Sequence, residues 1–320
     1  MEKLLTVSIA AYNVAGCVQV ALDSLVRSAV LDRLDVIVVD DGSKDTTAEV
    51  VLPYVERYPD SVRLLRKENG GYGSTINASF AQARGKYYRL LDGDDAFDTS
   101  ELERLVALLA DCEADMAVAQ GFIEVYPDHE RVVTLQLGAK GTSPIAELTD
   151  AEHVPMHALV ARTEALRTHP HTVTEHCFYT DEEFVFWALS ASRTFAVLPV
   201  RYYRYALGLE GQSVSLSGSS KHYRDGIRCY QKLTETYRQY APNPLLLRYL
   251  ADYLQAVYTR FLCIEPTKEH YAELKDYQHF VTVNTPQVYD YCKARKVTLL
   301  RCGCYPLYRL ICRVYQRGLS

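Results

Sequence analysis

Apolar residues in the first third of the chain come in short, mostly β-branched runs, separated by stretches whose apolar positions recur every three or four residues. The runs at 6–10, 35–39, 62–65 and 87–91 predict strands, and the intervening 15–28, 45–57 and 73–83 predict amphipathic helices. Alternation of this kind implies an α/β fold, a mostly parallel sheet flanked by helices on both faces. Val36-Ile37-Val38-Val39 is apolar at every position, as a strand buried on both sides must be, and belongs at the centre of the sheet. Further on, 115–120, 131–137, 156–162 and 194–205 read as strands. Asp98-Thr99-Ser100-Glu101 reads as a capping box opening a helix to about 109, and another helix begins near Asp181. From about 219 the pattern is helical, with Leu245, Leu246, Tyr249, Leu250, Tyr253, Leu254, Val257 and Phe261 on one stripe. Ser and Gly cluster at 216–220, which separates an α/β domain, 1–217, from a helical C-terminal region, 218–320.

Composition narrows the class. With 320 residues and 48% hydrophobic content the chain can bury a sizeable core. Its nine cysteines are odd in number, scattered, and without C-x-x-C spacing, which favours reduced thiols in a cytosolic protein over a disulfide framework or structural zinc. Met1-Glu2-Lys3 runs straight into a strand-sized apolar segment, so no secretion signal is expected. No apolar run reaches the roughly 18 residues of a spanning helix.

The net charge of −5 hides an asymmetry: seven positive residues and no acidic side chain follow Asp290, and without them the remainder carries −12. That balance argues against a nucleic-acid partner. In the tail, 297–320, Arg309, Arg313 and Arg317 stand at four-residue steps among Leu307, Tyr308, Leu310, Ile311, Val314 and Tyr315. On a helix this sets a basic face beside an apolar one. The segment either lies on an anionic membrane, peripheral at its inner face, or docks on the protein with its arginines in water.

Open parallel sheets bind ligands beyond the carboxyl ends of their strands. Two acidic clusters fall at such ends, Asp40-Asp41-Gly42-Ser43 after the second strand and Asp92-Gly93-Asp94-Asp95 after the fourth. Crowded carboxylates need a cation or hydrogen-bond donors to compensate them. A divalent metal joining Asp94 to a diphosphate would do so and would also neutralise a leaving group. The plain alternative is turn chemistry, Asp-Gly being a common turn pair. The glycine-rich 70–74 stretch either offers backbone N–H groups to a diphosphate or is a tight loop with Ser74 as helix cap.

Taken in order, Ser8-Ile9-Ala10-Ala11-Tyr12-Asn13, Val38-Val39-Asp40-Asp41-Gly42-Ser43, Glu68-Asn69-Gly70-Gly71-Tyr72-Gly73-Ser74-Thr75-Ile76-Asn77 and Leu91-Asp92-Gly93-Asp94-Asp95 resemble family 2 glycosyltransferases of the GT-A fold. The resemblance implies an inverting enzyme that moves a sugar from a nucleotide sugar, UDP-linked by preference, to a carbohydrate or lipid-linked acceptor in cell-surface polysaccharide or glycolipid synthesis. It implies a nucleotide-sugar-binding half, 1–95, and an acceptor half, 96–217. Ala11, Tyr12, Asp40, Asp41, Gly71, Asn77, Asp92, Gly93 and Arg204 would line the donor, and Asp94 with Asp92 would hold Mn2+ or Mg2+. Two places depart from the family: Ala10-Ala11 stands for Pro-Thr, and Thr75-Ile76-Asn77 for Ala-Arg-Asn, so the residue expected to read the nucleobase is missing.

Inversion needs a base opposite the leaving group. Tyr179-Thr180-Asp181-Glu182-Glu183-Phe184 resembles the family's Glu-Asp-x-Glu-Phe element, whose aspartate is that base, with Thr180 in place of the first glutamate. Asp181 is therefore the candidate and Glu182 the fallback; a helix cap is the other reading of Asp181. Arg204, in Tyr203-Arg204-Tyr205, either pairs with phosphate or sits in an ordinary ion pair. His169, His171 and His176 lack zinc-site spacing and read as a loop bordering the acceptor. A dehydrogenase is disfavoured because no G-x-G-x-x-G follows the first strand. A haloacid-dehalogenase-like phosphatase and a non-catalytic carbohydrate-binding protein on the same scaffold remain as alternatives.

Overall fold

The computed structural model describes residues 2–137, 141–148, 154–208, 216–240 and 243–318. The chain divides into two compact units, 1–209 and 210–320, the break falling ahead of the 217/218 boundary placed by composition. In the first unit the order is β1 (Leu5–Ala11), α1 (Val18–Val26), β2 (Leu34–Asp40), α2 (Thr47–Arg57), β3 (Val62–Arg66), α3 (Tyr72–Ala81), β4 (Tyr87–Asp92), β5 (Ala96–Phe97), α4 (Thr99–Ala110), β6 (Met116–Ala119), β7 (Gly121–Val125), β8 (Glu130–Thr134), β9 (Thr142–Pro144), β10 (Leu159–Arg162), α5 (Thr163–Thr168), α6 (Thr180–Ala191), β11 (Thr194–Leu198) and β12 (Tyr203–Ala206).

The main sheet runs β3-β2-β1-β4-β10-β6-β11-β9. Its first four strands are parallel; β10 is antiparallel to both neighbours, β11 parallels β6, and β9 closes the edge antiparallel. Ala11 pairs with Asp40, and Ala10 with Asp92. The two acidic strand ends therefore flank the end of β1. β2 is buried at all seven positions, as its apolar run requires, but it lies one strand in from the edge and not at the centre. Its burial comes from helix cover, α2 and α3 both packing on it.

A second sheet, β5-β12-β7-β8, departs from the sequence reading. The run 194–205 is two strands in two sheets. Pro199, which has no N–H for a ladder, stands between them. β7 follows β6 after the single residue Gln120 and pairs with both β12 and β8. Pairing of Tyr203 with Phe97 and Arg204 with Ala96 brings β12 against the segment just past the acidic cluster. Only half of the capping box forms: Asp98 accepts the Glu101 N–H at 3.0 Å, whereas Glu101 accepts the Arg201 N–H at 3.0 Å instead of reaching back.

α6 is apolar on nearly all sides, burying Phe184, Val185, Phe186, Trp187, Ala188 and Leu189, so its first turn is held by the core. The segment before it is clamped to α3. Asn77 exchanges hydrogen bonds with the Val173 carbonyl and N–H (2.9 and 3.0 Å), and Glu183 accepts the Thr174 N–H and His171 Nε2.

In the second unit α7 (Leu216–Lys221), α8 (Tyr223–Gln239), α9 (Pro244–Cys263), α10 (Lys268–Asn284), α11 (Pro286–Tyr291), α12 (Arg295–Cys302) and α13 (Tyr305–Arg317) follow one another. α9 is the hub, packing on α7, α8, α11, α12 and α13 through the predicted stripe, of which Leu245 alone stays half-buried. The tail is two helices broken at Gly303 and Cys304. No described helix is long and apolar enough to cross a membrane.

The clamp yields a stability prediction. A Cβ on Gly73 would sit 2.1 Å from the Thr174 carbonyl oxygen, while one on Gly16 would meet nothing within 4 Å. Gly73→Ala should cost about 2 kcal/mol by urea denaturation, and Gly16→Ala should stay within about 0.5 kcal/mol of wild type. Equal midpoints for the two would show that the 173–175 segment does not press on α3.

Candidate active site

The loops after β1 and β2 are stitched together. Asn13, in the left-handed region at φ 55°, accepts the Lys44 N–H at 2.8 Å and donates its own N–H to Ser43 Oγ at 3.0 Å. Between them Tyr12 is 49% exposed, beside buried Ala11. Asp40 accepts the Ser43 N–H at 2.9 Å and lies 3.4 Å from Arg66 Nε.

Asp41 is heavily engaged. Its carboxylate accepts the Gly70 and Gly71 N–H groups (2.9 and 2.8 Å), Lys67 Nζ (2.8 Å) and Ser74 Oγ (3.1 Å). Two expectations change as a result. The amides of Gly70 and Gly71 are already taken by Asp41, so they form no phosphate cradle; and Ser74 is no helix cap, because α3 starts one turn earlier, after Gly71 at φ 79°. Asn77 likewise spends its amide on the 173–175 segment. Arg204 pairs with Glu130 at 2.5 Å.

The second cluster differs. Asp92, Asp94 and Asp95 each offer an oxygen, all within 4.8 Å of one another. Asp95 is anchored through both oxygens, accepting Tyr203 Oη at 2.5 Å and the Ala206 N–H at 2.7 Å. Asp92 accepts Tyr72 Oη at 2.6 Å through one oxygen. No hydrogen-bond donor among the described residues reaches Asp94. Gly93 lets β4 close on β1, since a Cβ there would lie 2.7 Å from the Ala10 carbonyl oxygen. Burial raises the Asp92 and Asp95 carboxyls above the ordinary range, and their neighbours' charges add to it.

Asp181 sits in the first turn of α6, after Tyr179 in the left-handed region. Burial, then the charges of Glu182 and Asp92, push its carboxyl up to about 7. Tyr205 feels Asp95, Asp92, Asp181 and Asp94 together, which with burial drives its phenol upward. The charges of all four carboxylates thus act on one phenol. His157 stacks on Tyr205 with ring centroids 4.2 Å apart. Burial and the charge of Arg89 bring the His157 imidazole down to about 3, so it is neutral, and its buried Nδ1 has no hydrogen-bond partner among the described residues.

The profile of glycosyl transferase family 2 matches residues 6–178, more than half of the chain. The chain belongs to glycosyltransferase family 2. A Mycoplasma pneumoniae protein named uncharacterized glycosyltransferase MG025 homolog is 33% identical over 143 residues, 44% of this chain and 46% of its own length; the chain spans about half of that curated relative. Among solved structures, Staphylococcus aureus TarS 1–349 in complex with UDP-GlcNAc matches with a TM-score of 0.74 at 18% identity, covering 98% of this chain and 92% of the other. The mannosyltransferase PcManGT of Pyrobaculum calidifontis, in complex with GDP-Man and Mn2+, matches at 0.50 and 16% identity, covering 98% and 87%. These likenesses establish the GT-A fold.

Within this family member the sequence pointed to Asp92, Asp94 and Asp181 but not to the groups that hold them. Tyr72 and Tyr203 carry no signal beyond lying inside quoted motifs. Arg89, 0% exposed under the cluster with its guanidinium 4.8 to 5.0 Å from the rings of Phe97, Tyr202 and Tyr203, carries one in retrospect. An arginine in a run otherwise fit for a two-sided buried strand demands a reason.

Because Asp41 is bonded to several groups of the protein, its replacement should act on stability. Asp41→Asn is expected to lower unfolding free energy by about 2 kcal/mol, the cost of losing the ion pair with Lys67 and the acceptor of one backbone donor. An unchanged urea midpoint would return Asp41 to a purely ligand-facing role.

Proposed function

We propose that the chain transfers a sugar, with inversion, from a nucleoside-diphosphate sugar to an acceptor hydroxyl. The observation that carries this reading is the grouping of Asp92, Asp94 and Asp95, with oxygens within 4.8 Å of one another at the carboxyl end of β4, together with Asp181 in the first turn of α6, whose carboxyl the Asp92 charge helps to raise. Three carboxylate oxygens within 4.8 Å are a hard-oxygen set suited to Mn2+ or Mg2+. Asp94, with no donor of its own, and the second oxygen of Asp92 are the ligands we assign; Asp95 is committed to Tyr203 and Ala206 and positions the other two. Such an ion, when bound, offsets the negative charge that develops on a departing diphosphate.

The remaining work falls to the chain. Tyr72 fixes the Asp92 carboxylate so that one oxygen faces the crevice. Asp40, Ala11 and the exposed ring of Tyr12 border the space for the nucleoside at the ends of β1 and β2. Asp181, ionised, takes the proton of the acceptor hydroxyl as its oxygen attacks the anomeric carbon on the face opposite the leaving group, with Glu182 the neighbouring substitute. A carboxyl held near 7 is well matched to that task at neutral pH. A UDP-sugar is the favoured donor, supported by the TarS complex with UDP-GlcNAc; the mannosyltransferase complex with GDP-Man and Mn2+ supports use of a metal and supplies the competing nucleoside. We assign the acceptor to the polysaccharide or glycolipid class and the site of action to the cytoplasm, which nine free thiols suit.

Two variants separate the roles. With UDP and Mn2+ the wild-type melting temperature should rise; Asp94→Asn should lose that rise, and Asp181→Asn should keep it while transfer falls roughly a thousandfold. If no nucleoside diphosphate shifts the melting temperature with or without metal, the transferase reading is wrong. If Asp181→Asn transfers normally, the base is elsewhere, Glu182 first.

The pH dependence has a definite sign. A base works only when ionised, so a carboxyl raised to about 7 makes kcat fall as the pH drops through that value and level off above it. A rate already flat down to pH 5 would remove Asp181 as the titrating base.

A further inference from the structure

The C-terminal helix α13 has three faces. One is buried: Tyr308 and Cys312 face inward, Tyr308 Oη donates to the Phe261 carbonyl at 3.2 Å, and Gln316 Nε2 donates to the Leu262 and Ile264 carbonyls, both at 2.9 Å. The helix is therefore fixed to its own unit. A second face is apolar and open to solvent, with Leu307, Leu310 and Val314 at three- and four-residue steps and 36%, 59% and 64% exposed. Arg309, Arg313 and Arg317, all exposed, form the third face along its edge.

On the preceding helix, α12, Leu299 is likewise 42% exposed. A helix that merely closes a bundle keeps its outer face polar, as the period of its pattern requires. Here docking and exposure occur together, so the two readings of the tail are not exclusive.

We propose that this face binds an anionic lipid bilayer. Charge selects the occupant: all seven charged side chains beyond Asp290 are positive, and three line the apolar stripe. Aliphatic side chains flanked by arginines match the boundary between acyl chains and acidic headgroups, where the leucines leave water and the guanidiniums stay among phosphates. A second copy of the chain fits less well, because a two-fold contact through the stripe would set the arginine row near its own image.

The test uses the full chain and vesicles of phosphatidylcholine, with and without phosphatidylglycerol, read by co-sedimentation. Binding should require phosphatidylglycerol and weaken as salt rises. Arg309→Gln with Arg313→Gln should reduce partitioning roughly twentyfold, and Leu310→Glu with Val314→Glu should release the protein at any salt. All four side chains are exposed, so both variants should keep the wild-type melting temperature and its response to nucleoside diphosphate. Equal binding to both vesicle types, binding to neither, or wild-type binding by both variants would overturn the proposal. So would a wild-type dimer in size-exclusion chromatography that Leu310→Glu with Val314→Glu dissociates, since a second copy would then cover the face.

Discussion

Like charges held close together set the terms for the first unit. Oxygens of Asp92, Asp94 and Asp95 lie within 4.8 Å of one another, and at the effective dielectric of a protein such a pair repels by roughly 3 kcal/mol. Much of the surrounding structure answers that demand. Tyr72 Oη, Tyr203 Oη and the Ala206 N–H donate into the cluster, and the small second sheet brings the latter two to it. Beneath, Arg89 is buried with no carboxylate bonded to it among the described residues; Leu90, Met156 and Tyr202 oxygens accept its hydrogen bonds and three aromatic rings enclose it. A buried guanidinium is costly alone. Its charge acts on Asp92, and the acidic cluster in turn repays part of its desolvation.

The two acidic strand ends look alike in sequence and differ in what they lack. Asp41 receives four donors, three of them at Oδ1 and one at Oδ2. The Asp92 cluster receives three, none of them at Asp94. Carboxylates with several donors hold loops in place, and those with few keep capacity for a ligand, which is the difference the proposed metal site uses. The same distinction sorts Glu183 from Asp181 on one helix, since Glu183 is spent on His171 and Thr174 while Asp181 is pushed toward neutrality by burial and its acidic neighbours.

What the sequence disclosed follows from the range of each interaction. Strand and helix alternation, the strand ends that carry the acids, and the start of α6 are local, and they were legible to within a few residues. The groups whose partners the sequence does not show are those whose partners lie far along the chain. The glycine-rich turn does present N–H groups, but the claimant is Asp41, about thirty residues earlier. Asn77 does present an amide, but to Val173, ninety-six residues later. The second sheet was missed for a related reason: β11 and β12 form one apolar run, and only the pairing of each with a different sheet shows that Pro199 divides them.

Charge segregation along the chain gives the tail its logic. An acidic remainder of −12 opposes approach to an anionic surface, but the Debye length at physiological salt is about 8 Å, so only charges within a turn or two of that surface count. A basic row confined to one helix can therefore act against the sign of the whole molecule. Its attraction alone would vanish with salt. The adjoining leucines and valine contribute a term that salt does not screen, and the inward Tyr308, Cys312 and Gln316 keep the helix from leaving its unit when it binds. On the proposed docking, the arginines select an acidic bilayer, the aliphatic stripe sets how deeply the helix sits, and the buried face turns contact by one helix into recruitment of the enzyme.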